Sequence, residues 1–476
     1  MSNSSKPYRI LMAAVKSDSG KTLITCGLLT LLARRGIKIS AFKCGPDYID
    51  PMFHRKIIGI DSNNLDIFFA GRDGVDSSIM DCKSEYAIIE GVMGIYDGIA
   101  PTGIDASSYD VADATSTPVI LVVDASKMGR TVISIIKGIL ADDDRGLIKG
   151  IILNRMSKSY YDRMRPIIED ELSRLNYNVK LIGAMPVLKD VKFESRHLGL
   201  KLPDEISDIR AKLDIVADAL EQHCDIKSII DIMESADTHI DVSDNMLTQA
   251  ASGVHNAEHL RLAVAYDEAF CFYYNDNFKC LNDNGIEIVY FSPLHDSKLP
   301  DDIAGILIGG GYPELYLDEL SANTKMLDSI RTAIDKGIPS IAECGGFMYL
   351  HDYIEDMNGA SYKMVGSIQG KCVYSGRLVR FGYISAFDVE EACSSDFINC
   401  IKGMKGHEFH YYDSTSNGEA VTLLKTSNGA KYNGMHAMKN SVWGFPHWYY
   451  ESNPAFIRTF KEQMSIYSKE VLTSEG

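Results

Sequence analysis

Three stretches of this 476-residue chain join residue types and spacings that could do chemistry. The first is Ala14-Val15-Lys16-Ser17-Asp18-Ser19-Gly20-Lys21-Thr22, set between an apolar run and a helical pattern. A loop of this kind turns backbone N–H groups and a helix N-terminus toward phosphate. Gly20 would belong to the phosphate-binding turn, Lys21 would neutralise β- and γ-phosphate charge, and the Thr22 hydroxyl would hold Mg²⁺. Val15 stands where the GxxxxGK[ST] pattern has its first glycine, so the competing reading is a Ser/Gly turn before an amphipathic helix. The strand before the loop and the helix after it favour phosphate. The second stretch is a pair: Lys43-Cys44-Gly45-Pro46-Asp47-Tyr48-Ile49-Asp50-Pro51, followed by His54, and Glu90-Gly91-Val92-Met93-Gly94-Ile95-Tyr96-Asp97-Gly98. Asp47 and Glu90 are hard oxygen donors suited to Mg²⁺, which takes few protein ligands beside phosphate and water. Either alone could be a turn-forming carboxylate; beside a phosphate loop the metal-shell reading is favoured. The third stretch, Ile338-Pro339-Ser340-Ile341-Ala342-Glu343-Cys344-Gly345-Gly346-Phe347-Met348, is a strand, a cysteine and glycines opening a helix. A nucleophile on such a turn is exposed, and the helix N-terminus is expected to favour its thiolate. The glycines leave N–H groups, that of Gly345 included, for an oxyanion. A buried structural cysteine is the alternative.

The elements that must position these residues follow from the apolar patterning. Short β-branched runs at 8–15, 37–43, 86–90, 118–124, 150–154 and 181–185 alternate with helical stretches at 22–35, 131–140 and 160–175. That order predicts a mostly parallel sheet covered on both faces, with ligands beyond the carboxyl ends of its strands. The pattern lapses near residue 235 and resumes with runs at 262–266, 286–290, 305–308 and 339–342. The expected division is therefore a domain at 1–235, a linker at 236–258 and a second α/β domain at 259–476. A chain of this length suits two cores.

Composition narrows the function classes. Apolar residues make up 45% and charged residues 24%, as in soluble globular proteins. A net charge of −17 repels nucleic acid and anionic membrane, so neither is expected as a partner. No stretch approaches the roughly 20 apolar residues of a membrane helix, and the apolar start reads as a strand, not a signal peptide. The ten cysteines are scattered without a CxxC pair, which suits a reduced, cytoplasmic setting. A homodimer is among the assemblies this composition allows.

Several segments carry resemblances. Lys16, five residues before Lys21, resembles the early lysine of the deviant phosphate loops in partitioning ATPases, where it reaches nucleotide phosphate; a solvent-facing lysine is the alternative. Residues 43–53 (KCGPDYIDPMF) and 90–98 (EGVMGIYDG) closely resemble the cobyrinate a,c-diamide synthase family. Arg196-His197-Leu198-Gly199-Leu200 is similar to another of its recurring segments, whereas cobyric acid synthase differs at these places. The resemblance implies a P-loop domain similar to dethiobiotin synthetase, joined to a class I glutamine amidotransferase-like domain. It implies that ATP phosphorylates a substrate carboxylate and that ammonia displaces the phosphate. Lys21, Thr22, Asp47 and Glu90 would then handle ATP and Mg²⁺; Lys43, Tyr48, Ile49 and Asp97 would lie near the substrate; Asn154 would read the adenine. The loop SDSGKT at 17–22 departs from the family's usual SGVGKT.

In the second half, Ile308-Gly309-Gly310-Gly311-Tyr312-Pro313-Glu314 resembles the loop that supplies oxyanion N–H groups in class I glutamine amidotransferases, with Gly311 as donor or as part of a tight turn. Gly444-Phe445-Pro446-His447-Trp448-Tyr449-Tyr450 resembles the segment carrying that fold's catalytic histidine. His447 would deprotonate Cys344 and protonate leaving ammonia. His407 and His410 compete for that role. Tyr449 stands where many amidotransferases have a glutamate, so the residue orienting His447 is left open. The expectation is amidation of the a and c acetates of cobyrinate, a tetrapyrrole, with ATP and glutamine as co-substrates, in cobalamin biosynthesis. The same reaction on nickel-sirohydrochlorin, toward coenzyme F430, is the near alternative. A nucleotide-switch ATPase that binds a protein partner is the distant one, and it would leave Cys344 and His447 without a role.

Overall fold

The computed structural model describes residues 6–100, 102–189, 191, 195–196, 199–200, 208–238, 260–393 and 395–474. The chain forms two compact units, Met1–Thr248 and Gln249–Gly476. Residues 239–258 of the expected linker, and His197 and Leu198 of the 196–200 segment, lie outside the described residues. Among the described residues no helix is long and apolar enough to cross a membrane.

The first unit is built on seven strands: β1 (Tyr8–Ala14), β2 (Ile39–Cys44), β3 (Ser62–Leu65), β4 (Tyr86–Glu90), β5 (Val119–Asp124), β6 (Ile148–Asn154) and β7 (Lys180–Met185). They pair in the order β3-β2-β4-β1-β5-β6-β7, every pair parallel. Both faces are buried, and the period of two is visible in the packing. Leu11 and Ala13 of β1 join Val119, Leu121 and Val123 of β5 in one core. Ile10, Met12 and Ala14 join Ile120 and Val122 in the other. Each such aliphatic side chain contributes about 1.5–3 kcal/mol by leaving water. Helix α1 (Lys21–Arg34) follows β1 directly.

The strands at 86–90 and 305–308 have the expected ends, and the others shift by one or two residues. β5 begins at Val119 because Pro118 has no N–H to donate, although its carbonyl accepts from Leu11 N at 2.9 Å. β3 was not expected at all. Its residues Ser62, Asn63, Asn64 and Leu65 carry one apolar side chain, and pairing along Ala41–Cys44 makes them an edge strand.

The second unit has a six-stranded sheet in the order Ile286–Phe291, Leu260–Ala265, Gly305–Ile308, Ser340–Glu343, Ser441–Gly444 and His436–Met438. The first five are parallel and the last is antiparallel. Here too alternation feeds two cores, Ala263, Ile306 and Ala342 on one face against Leu262, Leu307 and Ile341 on the other. An antiparallel sheet of Lys431–Gly434, Val421–Lys425, Arg380–Val389, Lys405–His410 and His447–Tyr449 adds strands the patterning had not resolved. The chain passes from one sheet to the other through Phe445 and Pro446, and His447 is the first residue on the far side.

One buried cation braces the first sheet. Arg9, with no exposed surface, donates to Thr117 Oγ1 at 2.9 Å, Thr115 O at 2.6 Å and Pro7 O at 3.1 Å. Burial pushes it down to about 10, partly offset by Asp76 and Asp237, so it stays charged at neutral pH. Arg9→Met should orphan those acceptors and destabilise the first unit by about 3 kcal/mol. Denaturant unfolding checks this: an unshifted first transition would show that the guanidinium contributes nothing net.

Candidate functional site

The loop between β1 and α1 lies at the carboxyl end of the central strand, where neighbouring crossovers part. Gly20 caps α1 in the left-handed region at φ 87°, and Asp18 is left-handed as well at φ 60°. Ser19 Oγ donates to Lys16 O at 2.8 Å, closing the turn from inside. Asn154, at the end of β6, donates from Nδ2 to Ser19 O at 2.8 Å and accepts Arg155 N at 2.9 Å. Its side chain therefore braces the phosphate loop. Lys21 is buried and donates to Met93 O at 2.9 Å, tying the loop to the segment after β4. Burial, then Lys43, pushes Lys21 down to about 8, with Glu90 opposing. Lys16 is exposed.

Glu90, fully buried at the end of β4, collects the neighbouring polar groups. Its Oε1 accepts Lys43 Nζ at 3.0 Å and the Thr22 hydroxyl. Its Oε2 lies 3.8 Å from His54 Nε2 and has no hydrogen-bond partner among the described residues. Lys43, in β2, also pairs with Asp50. Burial works against the Lys43 charge, but Asp50, Glu90 and Asp47 outweigh it and hold the ammonium protonated. Burial and then Asp50 push Glu90 up, with Lys43 and the Thr22 hydroxyl pulling it back. His54, bonded through Nδ1 to Ser62 Oγ at 2.9 Å, is pushed down to about 4 by burial and stays neutral.

Asp47 has two aspects. Its Oδ1 accepts Ile49 N at 2.8 Å and Asp50 N at 3.1 Å, so it is a turn-former for the short helix Ile49–Met52. Loss of water and the nearby Asp50 also push its carboxyl up to about 6, despite Lys43 and those two N–H groups. Tyr48 is half-buried and Ile49 buried in the same turn, while Asp97 is exposed and accepts Gly94 N at 2.8 Å. Glu90 and the Thr22 hydroxyl bonded to its Oε1 are hard oxygen groups of the kind that suit a divalent cation. Among the described residues no three His, Cys, Asp or Glu converge as ligands, so Mg²⁺ there would complete its shell with phosphate and water.

In the second unit, Ser340–Glu343 ends at Cys344, whose backbone turns to φ 47°, ψ −104° before the five-residue helix Gly345–Tyr349. A non-glycine residue there stores about 1–3 kcal/mol of strain, held by the surrounding bonds. Cys344 N donates to Gly444 O at 2.8 Å, and Gly346 N to Gly309 O at 2.9 Å. Gly311 N lies 3.1 Å from where a side chain on Gly345 would begin, so the two expected oxyanion donors are neighbours. The thiol behaves differently from the sequence expectation. Burial pushes Cys344 well up, Glu314, Glu408 and Glu343 add to this, and only the Gly345 N–H pulls the other way. One turn of helix does not outweigh desolvation.

His447 is buried and pushed down to about 3, first by burial and then by His407 and His410. Those two are its neighbours: His407 faces it across paired strands, and His410 stacks on Phe445 with centroids 3.8 Å apart. His410 Nδ1 is held by Tyr412 O at 2.6 Å. Tyr449 directs its hydroxyl to Glu451, 3.3 Å away. A carboxylate does reach His447 from elsewhere. Glu343 Oε2 lies 3.9 Å from His447 Nδ1, and its Oε1 accepts Tyr450 O–H at 3.2 Å and Trp448 N–H at 3.4 Å. The sequence reading passed over Glu343; the available signal was a charged residue ending an otherwise uncharged buried strand.

Comparison with known proteins follows the two units. Residues 10–200 match the CobQ/CobB/MinD/ParA nucleotide binding domain, and 261–454 match the CobB/CobQ-like glutamine amidotransferase domain. A cobyrinate a,c-diamide synthase of Clostridium tetani is 37% identical, covering 95% of this chain and 99% of its own. One from Listeria innocua is 36% identical over 94% of this chain and 98% of its own, and one from Picrophilus torridus 38% over 95% and 97%.

The glycine loop at 309–311 also packs against the histidine. A methyl on Gly310 would stand 2.2 Å from His447 Cε1. Gly310→Ala should therefore displace the imidazole and destabilise the second unit by about 1–3 kcal/mol. A crystal structure and denaturant unfolding of the variant check this; an unmoved ring at wild-type stability would refute the contact.

Proposed function

The chain belongs to the cobyrinate a,c-diamide synthase family, and on that premise we propose that it is an ATP- and glutamine-dependent ligase that converts the a and c acetate carboxylates of cobyrinate into carboxamides. The observation that carries this reading is the strained Cys344 turn, with the preceding Glu343 reaching to within 3.9 Å of buried His447, in one chain with a phosphate loop whose Thr22 meets Glu90.

On this reading glutamine binds at Cys344. The thiol proton passes to His447 as sulfur attacks the carboxamide carbon, and the N–H groups of Gly311 and Gly345 receive the developing oxyanion. His447 returns the proton to leaving ammonia, and water then cleaves the thioester to glutamate. Burial disfavours a free thiolate, so the thiol keeps its proton until attack and gives it up to His447 in concert with formation of the carbon–sulfur bond. In the first unit a substrate carboxylate oxygen attacks the γ-phosphorus of ATP, releasing ADP and forming an acyl phosphate. Ammonia displaces phosphate from it to give the amide. Gly20, Lys21 and exposed Lys16 serve the phosphates, Asn154 holds the loop and faces the base, and Lys43, Tyr48, Ile49 and Asp97 serve the substrate side. Mg²⁺, held by Thr22, Glu90 and Asp47, would supply neutralising charge to the phosphate oxygens. Such chemistry fits a cytoplasmic enzyme, with a homodimer as one assembly.

The test is the purified chain with ATP, Mg²⁺, glutamine and either cobyrinate or nickel-sirohydrochlorin, followed by product mass. Diamide from cobyrinate supports the reading, and diamide from nickel-sirohydrochlorin alone moves it to that substrate. Cys344→Ser and His447→Ala should each abolish glutamine-supported synthesis yet keep synthesis from concentrated ammonia. Equal loss with both nitrogen sources in folded variants would end this division of labour. Glu90→Gln should instead stop synthesis with either source, by several kcal/mol of barrier. Near-wild-type ammonia-supported rates in that variant would remove Glu90 from the activating site.

A further inference from the structure

We propose that Glu343 is the positioning residue for His447: its Oε2 accepts the imidazole Nδ1–H, which leaves Nε2 to take the Cys344 proton. The inference rests on the glutaminase reading of Cys344 and His447 and adds the partner that reading lacks.

Three observations converge on it. Glu343 Oε2 faces His447 Nδ1 at 3.9 Å, both side chains being nearly free of solvent. That is longer than a hydrogen bond, as is common before substrate binds, and closing it takes a shift of about 1 Å. The carboxylate is aimed by two residues that follow the histidine in its own segment. Trp448 N–H and Tyr450 O–H hold Oε1, at 3.4 and 3.2 Å, and so turn Oε2 toward the ring. Glu343 also immediately precedes Cys344 and pairs in register with Gly444, whose carbonyl holds the Cys344 N–H. One strand end thus sets nucleophile and orienter together, while the segment it pairs with delivers the base.

Electrostatics supply the reason for a carboxylate here. Burial pushes Glu343 up to about 8 and His447 down to about 3, so each charge is costly alone. With Glu343 as the anion, its own proton released to solvent, a proton arriving on His447 Nε2 places positive charge beside Oε2, and the two opposite charges stabilise each other in a dry setting. Thiol deprotonation becomes the formation of a compensated set instead of an isolated imidazolium.

Glu343→Gln keeps the size and one acceptor oxygen for Tyr450 and Trp448 but cannot accept the Nδ1–H through its amide nitrogen. Glutaminase kcat should fall on the order of 100-fold, with KM for glutamine and ammonia-supported synthesis little changed. A kcat within threefold of wild type would overturn the proposal. A second readout needs no variant at this position. Nitrogen NMR of the histidine-labelled wild-type chain, with His447 assigned from His447→Gln, should show the Nδ1–H tautomer. An Nε2–H tautomer would overturn it. Failure of the wild-type chain to hydrolyse glutamine would sink the glutaminase reading itself, and the tautomer would still decide the Glu343 contact.

Discussion

The contact of Glu90 with the Lys43 ammonium, at 3.0 Å, and with the Thr22 hydroxyl joins the ends of β2 and β4 to the first turn of α1. Everything else in the first unit arranges itself about that point. β1 and β4 pair in register to Met12 and Glu90, which brings the phosphate loop alongside. Lys21 and Asn154 then fix the loop from either side, through Met93 O and Ser19 O. A carboxylate so far from water would be costly alone, and the lysine beside it makes it tolerable. The other Glu90 oxygen is turned toward His54 Nε2, 3.8 Å away.

The second unit meets the same constraint differently. Among the described residues no lysine or arginine is a leading cause of the shifts there; burial comes first and holds Cys344, His447 and Glu343 toward their neutral forms. In a site of that kind a charge is tolerated where an opposite charge forms beside it. Water exclusion then serves two ends in the proposed chemistry. It strengthens the interactions that form as the oxyanion develops, and it limits wasteful hydrolysis away from the acceptor.

Much of this was legible in the sequence where local rules dominate. The strand–loop–helix around Gly20–Thr22 and the strand–cysteine–glycine turn at Cys344 lie where spacing and glycine placement indicated. What escaped was settled by contacts distant in the chain. β3 is polar and becomes a strand only by pairing with β2. Asn154 meets Ser19 across 135 residues of sequence. Glu343 and His447 are brought within 3.9 Å by the pairing of Ser340–Glu343 with Ser441–Gly444. The thiol was misjudged for a different reason: the sequence displays the helix start but not the depth of burial that outweighs it.

The central claim is that one chain takes nitrogen from glutamine and fixes it, at the expense of ATP, on two carboxylates of a macrocycle. The most direct measurement is the isotope content of the product after incubating the wild-type chain with ATP, Mg²⁺, cobyrinate and glutamine labelled with ¹⁵N at the amide. The account predicts a diamide carrying label in both new carboxamides, with one ATP consumed for each. Consumption of ATP and glutamine with the macrocycle unchanged and unlabelled would contradict it.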